Sequence, residues 1–187
     1  MNQSIKELFY LPNLISLCRL ILSFIIPILW VKQTSSDIIY ALIVFGALSD
    51  TLDGNLARLL NQRSNLGKIL DPLADKSFIN MLFFLFYYEK VIPLSFLMVI
   101  LVRDLLILIG ALYLIFLTKG KAIPSPSILG KATTVAQLIT LMLLFMHYFL
   151  YSLPELFLSL VINITILLTL TSGLHYILSF RRMLSHA

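Results

Sequence analysis

The sequence predicts an all-α, polytopic membrane protein: one bundle of six transmembrane helices, with both termini on the cytoplasmic side. Three observations carry this. The 187 residues are 59% hydrophobic and only 12% charged, where soluble domains carry roughly 25% charged residues. Six stretches are apolar over about the 20 residues that a spanning helix needs. The basic residues at the ends of those stretches and between them fall almost entirely on one side.

The stretches run over roughly 13–31, 38–60, 68–88, 92–118, 130–152 and 156–179. No internal repeat divides the chain, so residues 1–187 read as a single domain. The opening "MNQSIKELFY" (1–10) reads as a short interfacial helix. No signal cleavage site or transit-peptide composition is evident in it. The longest connection, "TKGKAIPSPSILG" (118–130), has the Pro, Ser, Gly and Lys content of a loop. Pro72 is expected in a first helical turn, where proline is tolerated. With six spans, Lys6, Arg58, Arg63, Lys68, Lys119, Lys121, Lys131, Arg181 and Arg182 share one side, and Lys32 and Lys90 the other. Such asymmetry places the richer side in the cytoplasm. The lone Cys18 excludes an internal disulfide, and no Cys/His cluster suggests zinc. The basic loops suit anionic lipid better than nucleic acid.

Ionisable groups inside a span cost roughly 2.5–3.5 kcal/mol each on insertion scales, so they point to function. Of the nine acidic residues, Asp50, Asp53, Asp71, Asp75 and Asp104 lie within spans. Asp50 and Asp53 are three apart near the end of the second span. Asp71 and Asp75 are four apart near the start of the third. Each pair shares a helix face, and the short intervening loop makes the two helices antiparallel neighbours. The four carboxylates can therefore converge on one cavity near the cytoplasmic surface. Packed together, they require either protonation or a neutralising cation. Hard divalent ions such as Mg²⁺ prefer these oxygen donors together with phosphate oxygens, and two ions would clamp a phosphoryl centre. Gly54 and Ala57 share the Asp50 face and leave room for a substrate. Arg58 can meet a phosphate as a bidentate fork.

Asp50 to Asp75, "DTLDGNLARLLNQRSNLGKILDPLAD", matches D-x2-D-G-x2-A-R-x8-G-x3-D-x3-D at every fixed position. It resembles the signature of the CDP-alcohol phosphatidyltransferases. "LPNLISLCRL" (11–20) resembles that family's P-N-x-[LI]-[ST]-x-x-R entry. "DPLADK" and "ILGKATTVAQ" (128–137) look like the branch containing phosphatidylglycerophosphate synthases and cardiolipin synthases, and "VRDLLILIGALYL" from Val102 leans toward the latter.

The resemblance implies that Asp50, Asp53, Asp71 and Asp75 bind two Mg²⁺ or Mn²⁺ ions, with Asp75 also the general base. It implies that Gly54, Ala57, Arg58 and Gly67, with Ser64 in the variable stretch, shape the CDP-lipid site, and that the protein is a homodimer. The expected activity is metal-dependent transfer of a phosphatidyl group from CDP-diacylglycerol to glycerol 3-phosphate, with release of CMP. Phosphatidylglycerol as acceptor, giving cardiolipin, is the alternative. Arg103, Lys131 and Arg19 are the expected cations for a phosphate-bearing acceptor. For Arg103 an ion pair with Asp104 competes with that role, although adjacent helical residues point apart; for Lys131 a lipid headgroup contact competes. The expected location is the cytoplasmic membrane of a bacterium, with the site facing the cytoplasm. A cation-coupled transporter would also use intramembrane carboxylates but usually shows a repeat. A prenyl-diphosphate enzyme would share the metal chemistry without this spacing.

Overall fold

The computed structural model describes residues 10–59, 67–117 and 127–185; the side chains of 36, 50–59, 68, 69, 111, 112, 114–117 and 181–185 lie outside that description. The described residues form six helices and no strand: α1 (Leu11–Val31), α2 (Ser36–Leu59), α3 (Gly67–Tyr88), α4 (Leu94–Leu117), α5 (Ile128–Phe149) and α6 (Glu155–Ser185). Each overlaps one of the six apolar stretches, with ends displaced by a few residues. Among the described residues three spans are long and apolar enough to cross a membrane: Leu11–Val31, Ile128–Phe149 and Glu155–Phe180. The segment expected as an interfacial helix, 1–10, lies outside the described residues except Tyr10. Pro72 is not in the first turn, because α3 already begins at Gly67; it sits inside the helix, where it cannot donate to the carbonyl of Lys68.

The chain resolves into two compact units, Met1–Leu85 and Phe86–Ala187. In the first, α1 packs along α2. Its core includes Leu22, Ile26, Ile39, Ile43, Ala74 and Phe78, all buried. A Cβ at Gly46 would collide with the Phe78 ring, so glycine is what allows this approach of α2 to α3. In the second unit α6 packs against both α4 and α5. Without a hydrophobic drive between helices in lipid, such interfaces use small and hydroxylated residues. Here Thr133 donates to the carbonyl of Leu168 at 3.0 Å, and the hydroxyls of Thr140 and Thr165 meet at 2.8 Å. Many exposed side chains on these helices are large and apolar, such as Leu160, Ile164, Leu167 and Leu174 on α6, the expected dress of a lipid-facing surface.

Helix ends are closed by local bonds. At the end of α1, Gln33 N–H donates to Trp30 O (3.0 Å) and Thr34 N–H to Leu29 O (3.1 Å). At the end of α3, Lys90 N–H donates to Tyr87 O and Val91 N–H to Phe86 O, both at 2.9 Å. This is the Schellman pattern. It requires a left-handed residue, supplied here by Gln33 (φ 54°) and Lys90 (φ 60°). Ser127 caps the start of α5 by accepting from Gly130 N–H at 3.0 Å. The turn after α5 is closed by Leu153 N–H donating to His147 Nδ1 at 3.0 Å.

Candidate active site

Asp71 and Asp75 stand one turn apart on α3, both half-buried. Their partners come from α1. Ser16 Oγ donates to Asp71 Oδ1 at 2.6 Å. Arg19 Nη2 lies 2.8 Å from Asp75 Oδ1, with the arginine side chain 2% exposed and the aspartate 38%. Helical periodicity explains the match: Ser16 and Arg19 are three apart and the carboxylates four apart, so two adjacent cross-helix pairs form along one seam. Asn13, Ser16, Arg19 and Ser23 make the buried polar stripe of an otherwise apolar α1. Such a stripe is stable in a helix of this kind only when its groups are paired. Ser16 also reaches the Pro12 carbonyl at 3.1 Å.

Asp50, Asp53, Gly54, Ala57 and Arg58 occupy the helical backbone of α2, but their side chains lie outside the description. Ser64 lies outside it altogether. Gly67 is buried and opens α3. Among the described side chains no three Asp, Glu, His or Cys groups converge as a metal cage; Asp50 and Asp53 are not among them. The donors that are described, two carboxylates on one face of α3, are the hard oxygens that suit Mg²⁺ or Mn²⁺.

The cations expected at the acceptor site are spread out. Arg19 is engaged by Asp75. In the second unit Arg103, 4% exposed, pairs with Asp104 at 2.8 Å. It also donates to Ser172 Oγ at 3.0 Å and to the Gly130 carbonyl at 3.5 Å. Its guanidinium lies 5.8 Å from the Tyr176 ring centroid. The adjacent pair forms although neighbours on a helix diverge, because the arginine stem is long enough to turn back. Gly130 is tightly placed: a Cβ there would come within 2.9 Å of Tyr176 Oη and 3.1 Å of Ser127 Oγ. Lys131, one residue on, is exposed.

Ser16, Ser172 and Tyr176 are not singled out by the sequence patterns above. For Ser16 the signal is its place in the 11–20 segment, one turn from Arg19. Thr165, Thr169 and Ser172 recur at helical spacing on α6, and each is buried, so a polar face was visible there too.

Comparison with known proteins bears on the whole arrangement. Residues 9–172 match the CDP-alcohol phosphatidyltransferase family profile. The CDP-diacylglycerol–glycerol-3-phosphate 3-phosphatidyltransferase of Aquifex aeolicus is 47% identical over 127 residues, 66% of this chain and 68% of that protein. Cardiolipin synthase (CMP-forming) of Rattus norvegicus is 37% identical over 133 residues, 70% of this chain but 42% of the relative. A putative cardiolipin synthase of Mycobacterium bovis is 36% identical over 125 residues, 66% of this chain and 58% of that protein. The match thus spans about two thirds of the Aquifex protein and less than half of the rat one. A profile match over most of the length, carrying the full Asp50–Asp75 signature, establishes that this chain belongs to the CDP-alcohol phosphatidyltransferase family.

Proposed function

We propose that this chain transfers the phosphatidyl group of CDP-diacylglycerol to glycerol 3-phosphate and releases CMP. In this reading all six helices span a bacterial cytoplasmic membrane, with both termini and the site on the cytoplasmic side, and the protein works as a homodimer. The observation that carries the proposal is the pair Asp71 and Asp75 on one face of α3, inside a signature matched at every fixed position. The 47% identity to the Aquifex glycerol-3-phosphate enzyme supports that acceptor. The rat relative favours phosphatidylglycerol as a second reading.

Asp71 and Asp75, with Asp50 and Asp53 of α2, would hold two divalent ions. Those ions would neutralise the diphosphate and the charge that develops on it. Gly54, Ala57, Arg58, Ser64 and Gly67 would bind the cytidine diphosphate, Arg58 through paired N–H groups. Asp75 takes the proton of the acceptor hydroxyl at a carboxylate oxygen. The hydroxyl oxygen then bonds to the β-phosphorus as its bond to the CMP oxygen breaks. Positioning and electrostatics supply most of the rate in such transfers. Lys131, exposed at the start of α5, would be the cation for an anionic acceptor.

The test is CMP release by purified protein with CDP-diacylglycerol, Mg²⁺ and either acceptor. Faster release with glycerol 3-phosphate than with phosphatidylglycerol is expected, with loss in EDTA and return on adding Mg²⁺ or Mn²⁺. Asp75→Asn should lower kcat by about 10²–10⁴, the usual worth of a general base. Absence of CMP with every acceptor would refute the reading, and full turnover in chelator would remove the metal role.

A further inference from the structure

We infer that Ser16 and Arg19 of α1 are positioning residues for Asp71 and Asp75, so that α1 is a working part of the reaction centre. The role of the two carboxylates rests on the phosphatidyltransferase reading, and the pairing on the contacts of α1 with α3.

The geometry is specific. Ser16 has 0% exposure, and its single hydroxyl proton has the closer acceptor in Asp71 Oδ1 at 2.6 Å, with Pro12 O at 3.1 Å as the alternative. A short O–H···O⁻ bond is charge-assisted and strong. It fixes one oxygen of Asp71 and thereby aims the carboxylate. Arg19 is the largest of the fully buried side chains. A guanidinium in an apolar bundle is retained only against a matching charge, and here that charge is Asp75. Arg19 therefore balances Asp75 from the α1 side and fixes its rotamer. At 2% exposure it is not on a surface that a soluble acceptor meets. That gives it a different role from Lys131, which is open.

Carboxylates that serve as metal ligands depend on such outer partners. Loss of one typically costs 10- to 100-fold in metal affinity or activity. The two residues divide the effect in a way that bulk destabilisation would not. Ser16 carries no charge, so its loss alters only how Asp71 is aimed. Arg19 acts on the residue expected to take the proton, so its loss falls chiefly on turnover, and any effect on binding is confined to the ion that Asp75 would share.

The experiment uses the full-length protein, purified in detergent and monodisperse. Mn²⁺ binding is read by electron paramagnetic resonance, independently of turnover. Ser16→Ala should weaken Mn²⁺ binding about 10-fold, and Ser16→Thr, which keeps the hydroxyl, should restore it. Arg19→Gln should lower kcat by roughly 10- to 100-fold while both KM values stay within about 2-fold, with partial recovery in Arg19→Lys. If Ser16→Ala does not purify as a folded protein, Ser16→Cys, a near-isostere and a weaker donor, replaces it with the same expected direction. Wild-type Mn²⁺ affinity in the Ser16 variant would overturn the role of Ser16. A raised acceptor KM with kcat intact would make Arg19 an acceptor ligand instead. A wild-type protein that binds Mn²⁺ but releases no CMP would end the phosphatidyltransferase reading and leave the Ser16 result standing.

Discussion

Replacing Asp104 by Asn tests how the second unit tolerates its buried cation. The substitution keeps the shape and removes the charge opposite Arg103. Both side chains are about 5% exposed or less, and they meet at 2.8 Å. At an effective dielectric of 20, that separation corresponds to a gross attraction of about 6 kcal/mol. Part is returned, because Asn is cheaper to bury than a carboxylate and because Ser172 and the Gly130 carbonyl still accept from Arg103. The net loss should then fall near 3 kcal/mol, at the lower end for breaking a buried pair by removing one partner. For a chain of this length, about 2–4 °C per kcal/mol gives a fall in Tm of roughly 6–12 °C. Thermal unfolding of the detergent-solubilised protein measures it. The double variant Arg103→Gln, Asp104→Asn should recover part of the loss, since it leaves no unpaired charge. A single variant that melts within about 1 °C of wild type would refute the view that Arg103 is held by Asp104.

Other consequences can be read from single positions. Gly46→Ala forces the buried Phe78 ring to move and should destabilise by about 1–3 kcal/mol, measurable in the same melt. Lys90→Gly should do the reverse: φ of 60° suits glycine, and a gain of up to about 1 kcal/mol is expected, with an unchanged Tm counting against the cap assignment. Thr140→Val and Thr165→Val should show a coupling near 0.6 kcal/mol in a double-mutant cycle, the usual size for a hydrogen bond between membrane helices; a value near zero would mean that the 2.8 Å contact adds nothing.

The six helices were legible because long apolar stretches announce themselves by length and composition. All six stretches coincide with helices, and the errors lie at their ends. Pro72 shows why: the expected boundary relied on proline marking a first turn, whereas α3 starts five residues earlier and accepts the lost hydrogen bond. The aspartates of α3 were legible as a face, since spacing fixes which residues look the same way. Spacing cannot say which helix a face meets. That Ser16 looks at Asp71 and Arg19 at Asp75 depends on packing between segments more than fifty residues apart. The Arg103–Asp104 pair runs against the rule that neighbours on a helix diverge. A long flexible stem escapes that rule where a short one would not. Ser172 and Tyr176 were hidden for a different reason: an α6 rich in Leu and Ile reads as plain lipid-facing bulk until its hydroxyls are aligned.

The glycine at 46 also restricts traffic. Where α2 lies so near the Phe78 ring that a single methyl group would not fit, no hydrocarbon tail can thread between the two helices at that height. A lipid bringing its headgroup to the aspartates of α3 must keep its chains on an outer flank of the pair, so selectivity for chain length would be set by that flank and not by this crevice.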